Sequence, residues 1–272
     1  MVLVLHIFQG DLRKPLNHHG RCNGMINLLY YIYLAVFLLY ASTFALAFLN
    51  LKKAEKWLGL IALTANAAVL TLIVVSSGHL PVFNLFESFL LVIFVLGGLG
   101  IFCSKPEDAF PCVRIWIWLE IMVLFGITFF SSKTPSFFSY AHDNLYVVLF
   151  HAFRIVALAL ALFSSAQFIQ FRVERNRDAP ANELSNTGRN YLLLSAIFFL
   201  AGEYVGIIWC QNGWGDLWRW SAGFFQSTLI VLYLMLVFHI PGKNYRSESF
   251  KSLLGGMSGF VMLALTLIRI VL

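Results

Sequence analysis

The chain has 272 residues, 60% of them hydrophobic, 16% aromatic and 12% charged, with a mean hydropathy of +0.79. Soluble domains carry about 25% charged and about 45–50% apolar residues, so this balance excludes a soluble globular domain, a disordered chain, a collagen and a disulfide scaffold. The net charge of +6 is expected in cytoplasmic loops beside a bilayer, with no nucleic-acid partner.

A helix crosses the hydrocarbon core with about 20 apolar residues. Eight such stretches follow in chain order, at about 27–49, 57–76, 84–103, 113–130, 145–171, 190–210, 221–240 and 253–271. They predict an all-α integral membrane protein, a single polytopic domain over 27–272. Residues 1–26 form a leader that reads either as an interfacial segment or as a start placed too early, and no function attaches to it. Counting Lys and Arg by side orients the spans. Lys52, Lys53, Lys56, Lys105, Arg114, the arginines between 172 and 189, Lys243, Arg246 and Lys251 fall together on one side. Lys133 and Arg219 fall on the other, with Arg269 near the carboxyl end; Arg13, Lys14 and Arg21 in the leader depart from the pattern. The expectation is that both termini lie outside.

Cys22, Cys103, Cys112 and Cys210 form no CxxC pair and no CxxCH motif, so neither a zinc site nor self-attached c-type haem is expected. Ionisable groups within apolar spans are costly and are read first for function. Here they are Glu87, Glu120, His151, Arg154, Glu203 and His239. Arg154 follows His151 by three residues and shares its helix face. It either pairs with Glu87 or Glu203 to make burial tolerable or holds an anionic ligand. His151, near the outer end of span five, and His239, near the inner end of span seven, are too far apart to share one ligand. Each reads as an inter-helix hydrogen-bonding group or as an iron ligand. His18, His19, His79 and His142 fall outside the membrane, where ordinary loop histidines also occur.

Between spans six and seven, the run from Trp209 to Trp220 holds Trp209, Trp214, Trp218 and Trp220 with Gly213 and Gly215. It is either a headgroup-level aromatic belt or a flat platform for a planar aromatic ligand.

Three ordered segments carry a resemblance. GIIWCQNGWGDLWRW (206–220) is followed in register by a helix ending in Val237-Phe238-His239; GHLPVFNLFES spans 78–88; LYVVLFHAF spans 145–153. Together they resemble the CcsA/CcmC/ResC superfamily of cytochrome c assembly membrane proteins. The resemblance implies haem b as substrate or transported ligand, with His151 and His239 as axial ligands of haem iron at an outer and an intramembrane site. It implies a platform of Trp209, Trp214, Gly215, Trp218 and Trp220. A CcsB-like membrane partner and an apocytochrome c with CxxCH motifs follow, the chain then forming part of a cytochrome c synthase. The expected location is the bacterial cytoplasmic membrane or a thylakoid-type equivalent, with the tryptophans outside. Charge and side suggest Arg154 and Arg219 for the haem propionates, and His79 or His142 as a further outer ligand.

The chain departs from the family pattern in three places. Ser221–Gln226 replaces Asp-Pro-Lys-Glu-x-Trp, no histidine follows His239, and Arg154 stands where the family is apolar. These departures suit an alternative, a HemX-like accessory or regulatory protein of haem metabolism that has lost haem delivery. A secondary transporter is disfavoured, since no paired Gly/Pro-broken helices appear in corresponding halves.

Overall fold

The computed structural model describes residues 19–103, 112–134, 136, 143–175, 182–215, 222–240 and 245–271. Among them every regular element is an α-helix: α1 His19–Phe48, α2 Lys52–Ser77, α3 Leu85–Phe102, α4 Val113–Phe129, α5 Leu145–Arg175, α6 Asn182–Trp214, α7 Ala222–His239 and α8 Tyr245–Val271. Six contain stretches long and apolar enough to cross a membrane, within α1, α2, α3, α5, α6 and α8. The other two expected spans are shorter. α4 has 17 residues, and the apolar stretch of α7, Gly223–His239, also has 17, so each rises about 26 Å against a core of about 30 Å.

Several boundaries differ from the apolar runs. α1 begins at His19, inside the expected leader. α5 and α6 run into the polar stretch between spans five and six, because helical hydrogen bonding continues into water where apolar side chains are no longer needed. The tryptophan segment was expected to be loop from Trp209, but α6 extends through Trp214. Gly215 ends it with φ 71° and a backbone N–H donated to Gln211 O at 2.9 Å, the left-handed stop that glycine adopts at least cost.

Helices α1 to α4 pack in a closed ring, α1 on α2, α2 on α3, α3 on α4 and α4 back on α1. Its interior is aromatic: Tyr33 and Tyr40 each lie 5.5 Å from Phe125, and Tyr40 lies 5.9 Å from Trp118. The polar ends of these rings find partners, Tyr33 Oη donating to Phe125 O at 2.9 Å and Trp118 Nε1 to Glu55 Oε1 at 2.8 Å. Glu55 is also paired with Arg114 Nε at 3.3 Å, which makes burial of both charges tolerable.

α5 joins the ring to the rest, packing on α3 and α4 on one side and on α6 and α8 on the other, while α7 packs on α8. The close approaches are made by glycines four residues apart, the spacing that lets membrane helices bring backbones together. A Cβ on Gly259 would stand 2.7 Å from Leu162 Cα of α5, and one on Gly255 2.6 Å from the Phe168 ring. Ser165 of α5 accepts from Gly259 N at 2.8 Å across the same seam.

Candidate functional site at one end of α5, α6 and α7

The site grows from the seam between α5 and α6. A Cβ on Gly202 would lie 3.3 Å from Phe153 Cβ and one on Gly206 2.9 Å from the Phe150 ring. This crossing sets the start of α5 beside the end of α6. Trp209 lies three residues beyond Gly206, hence on a neighbouring position of the same face.

His151 follows Phe150 on α5 and is half-buried. Its ring is met edge-on by Phe150, centroids 5.2 Å apart, and by Phe83 from the segment ahead of α3, 5.6 Å apart. The imidazole therefore has aromatic walls from two elements. One turn along α5, Arg154 Nη2 lies 2.9 Å from Glu203 Oε1 of α6 and donates to Ser227 Oγ of α7 at 2.8 Å. Its guanidinium stands 4.8 Å from the Phe150 ring centre and 5.2 Å from that of Phe199. Of the two carboxylates offered by the sequence, Glu203 is the partner. The arginine ties three helices together while leaving 16% of its side chain exposed.

Glu87 belongs to a different network. It accepts from Ser136 N at 2.7 Å, and Ser136 Oγ lies 3.1 Å from both of its carboxylate oxygens. The first turn of α3 is capped by Asn84, whose side-chain oxygen accepts from Glu87 N at 2.8 Å and whose amide donates to Thr134 O at 3.0 Å. His79 joins this knot: Nδ1 lies 2.9 Å from Leu80 O, and Nε2 lies 2.8 Å from Ser136 O. Both ring nitrogens are thus engaged with carbonyls, and binding a metal through either requires giving one up. The His79 ring also meets Phe83 edge-on at 5.5 Å, so Phe83 stands between His79 and His151.

His239, at the end of α7, is exposed, and its Nδ1 lies 2.8 Å from Met235 O. A carbonyl can only accept, so Nδ1 is the donor, which leaves Nε2 as the nitrogen placed for metal ligation. His239 follows Ser227, the partner of Arg154, by twelve residues, or about 18 Å along the helix. The two histidines occupy separate places.

Glu120, 2% exposed near the middle of α4, has both carboxyl oxygens buried without a hydrogen-bond partner among the described residues. Lys133, beyond the end of α4, donates to Thr128 O at 3.0 Å, to Ser131 O at 2.8 Å and to Phe129 O. Partial burial lowers the pKa of its ammonium. His18, His142, Trp218, Arg219, Trp220 and the side chains of His19 and Trp214 lie outside the described residues.

Phe83, Phe150, Phe199 and Ser227 are neighbours that the sequence did not single out. Phe83 and Phe150 sit within the quoted segments GHLPVFNLFES and LYVVLFHAF, and an aromatic beside a candidate ligand was the available signal. Ser227 offered none.

Fold and site define a chain that is all-helical among the described residues, with six helices long and apolar enough to cross a membrane and an aromatic-walled histidine beside an arginine ion pair. No protein-family model matches it. The chain is similar to Protein NrfI of Wolinella succinogenes, with 26% identity over 193 residues covering 67% of this chain and 21% of that protein. It spans about a fifth of the length of that curated relative.

Proposed function

We propose that the chain is a haem-handling membrane subunit of cytochrome c biogenesis. It takes haem b as substrate at the end of α5, α6 and α7 and presents it to CxxCH motifs of an apocytochrome c. The observation that carries this reading is the His151 imidazole walled by Phe83 and Phe150, with the Arg154 guanidinium one turn away. The three resembling segments and the similarity to Protein NrfI support it.

On this reading His151 ligates the iron on one face, and the rings around it exclude water from that face. The tryptophans from Trp209 to Trp220 clamp the macrocycle, leaving its vinyl edge open. Thioether bonds form as cysteine S–H adds across each vinyl group, which is chemistry of the haem and the apocytochrome. Arg154, shared with Glu203, and Arg219 attract the propionates. His239, with Nδ1 held by Met235 O, serves a second site at the opposite membrane face. A CcsB-like partner completes the synthase. Termini and tryptophans face outward, in the bacterial cytoplasmic membrane or a thylakoid-type equivalent.

A second reading, a HemX-like accessory protein, is favoured by the engagement of both His79 nitrogens, which leaves His79 ill-suited to be a second outer ligand. Absorption spectra of the detergent-purified chain beside His151→Ala and His239→Ala test both. A Soret band with reduced α and β bands that weakens in His151→Ala supports delivery. A spectrum sensitive to His239→Ala alone supports the accessory reading. A chain that stays colourless with added haem, reductant and a CcsB-like partner overturns the delivery reading and leaves the accessory one.

A further inference from the structure

Away from the histidines, α5 and α8 enclose a groove of about 400 Å³. Its walls are apolar, Ile169 and Val173 from α5 and Leu253, Met257 and Phe260 from α8, with Gly256 lying against Ile169. The charged member of the lining is Arg172, and its position is defined, since Nη1 donates to Ser249 O at 3.0 Å. That contact puts the guanidinium at the Ser252 end, from which the groove runs to Phe260, about 12 Å along α8. Lys251 precedes Ser252 in the chain and is half-buried. Among the described side chains the neighbouring acid is Glu174, which accepts from Gln170 Nε2 at 2.7 Å and stands two residues from Arg172, on a different face of α5.

A cation at the mouth of an apolar channel of this length matches a phospholipid, phosphate at the mouth and acyl chain along the channel. We propose that the groove is a binding site for an anionic glycerophospholipid, held by Arg172 and Lys251 at the headgroup and by Met257 and Phe260 along one acyl chain. The choice of an anionic lipid rests on charge complementarity. In the orientation proposed above this end faces the cytoplasm, where anionic lipids concentrate and basic residues near the surface attract them. The proposal requires a membrane-spanning chain but is independent of haem.

The test uses the purified full-length chain in mixed micelles containing phosphatidylglycerol or phosphatidylcholine, following the thermal midpoint against lipid mole fraction. The expected result is tighter apparent binding of phosphatidylglycerol, by roughly fivefold per cation, with the preference shrinking as salt is added. Arg172→Gln and Lys251→Gln each lose their share of it. Arg172→Lys keeps the preference, which separates lost charge from lost packing, and Met257→Trp weakens both lipids by filling the channel. Equal stabilisation by the two lipids overturns the proposal and leaves the groove as ordinary lipid-facing surface. An undiminished preference in Arg172→Gln, or unchanged binding in Met257→Trp, places the headgroup elsewhere and overturns it too.

Discussion

Gly206 of α6 stands so near Phe150 of α5 that an added Cβ would lie 2.9 Å from Cδ2 of the ring. The same ring forms one wall of His151, at 5.2 Å. Helix packing and the candidate ligand are therefore coupled through a single aromatic side chain. Gly206→Ala is expected to cost about 1–3 kcal/mol by overpacking and to disturb any His151-dependent absorption band as well. Gly202→Ala, whose Cβ would meet Phe153 Cβ at 3.3 Å, should be milder on both counts. Thermal midpoints and spectra of the two variants, taken together, check this ordering.

The Arg154–Glu203 pair yields a double-mutant prediction. Removing one partner of a buried ion pair costs about 3–5 kcal/mol. With 16% and 26% of the two side chains exposed, Arg154→Met is expected at the lower end of that range. Arg154→Met with Glu203→Met together should lose less than Arg154→Met alone, because no uncompensated carboxylate remains. Additive losses in the cycle would show that the two charges are not coupled.

Glu120 makes the opposite forecast. Its carboxyl oxygens are buried without partners among the described residues, and an unsatisfied buried polar group costs about 1–3 kcal/mol. Glu120→Met keeps the length of the side chain and removes the polar atoms, so the variant should melt higher than the parent. A lower midpoint would reveal an interaction of that carboxyl.

Lys133 predicts a pH dependence at the alkaline end. Burial lowers its pKa from the ordinary value of 10.5. Between the lowered value and 10.5 the unfolded chain still holds a proton that the folded chain has shed, so stability rises with pH across that window. Below it, the cost of burying the charged form is fully present. The midpoint of the parent should therefore gain on that of Lys133→Met as pH climbs through the window. A constant difference between the two would count against the assignment.

The helices were legible because lipid demands long apolar runs, and all eight runs coincide with helices. Their ends were not, since a run stops where lipid stops while α6 keeps its hydrogen bonds to Gly215. Within the site, the sequence offered Arg154 two carboxylates. Choosing between them required the α5–α6 crossing, which depends on Gly202 and Gly206, a spacing plain in the sequence but silent about which helix it meets. Glu87 is drawn instead to Ser136, forty-nine residues away, in a loop whose polar residues carry no periodicity. The aromatic walls of His151 depend on rotamers of Phe83 and Phe150, which composition does not encode.

The Arg154 contacts also impose an order on assembly. In chain order α5 brings the Arg154 guanidinium ahead of both groups that receive it. Glu203 arrives a helix later, and Ser227 trails by 73 residues. Until α6 is in place, Arg154, three residues from His151, lacks the carboxylate that pairs with it. The half-made chain is thus distinguishable from the finished one by an arginine that lacks its ion-pair partner.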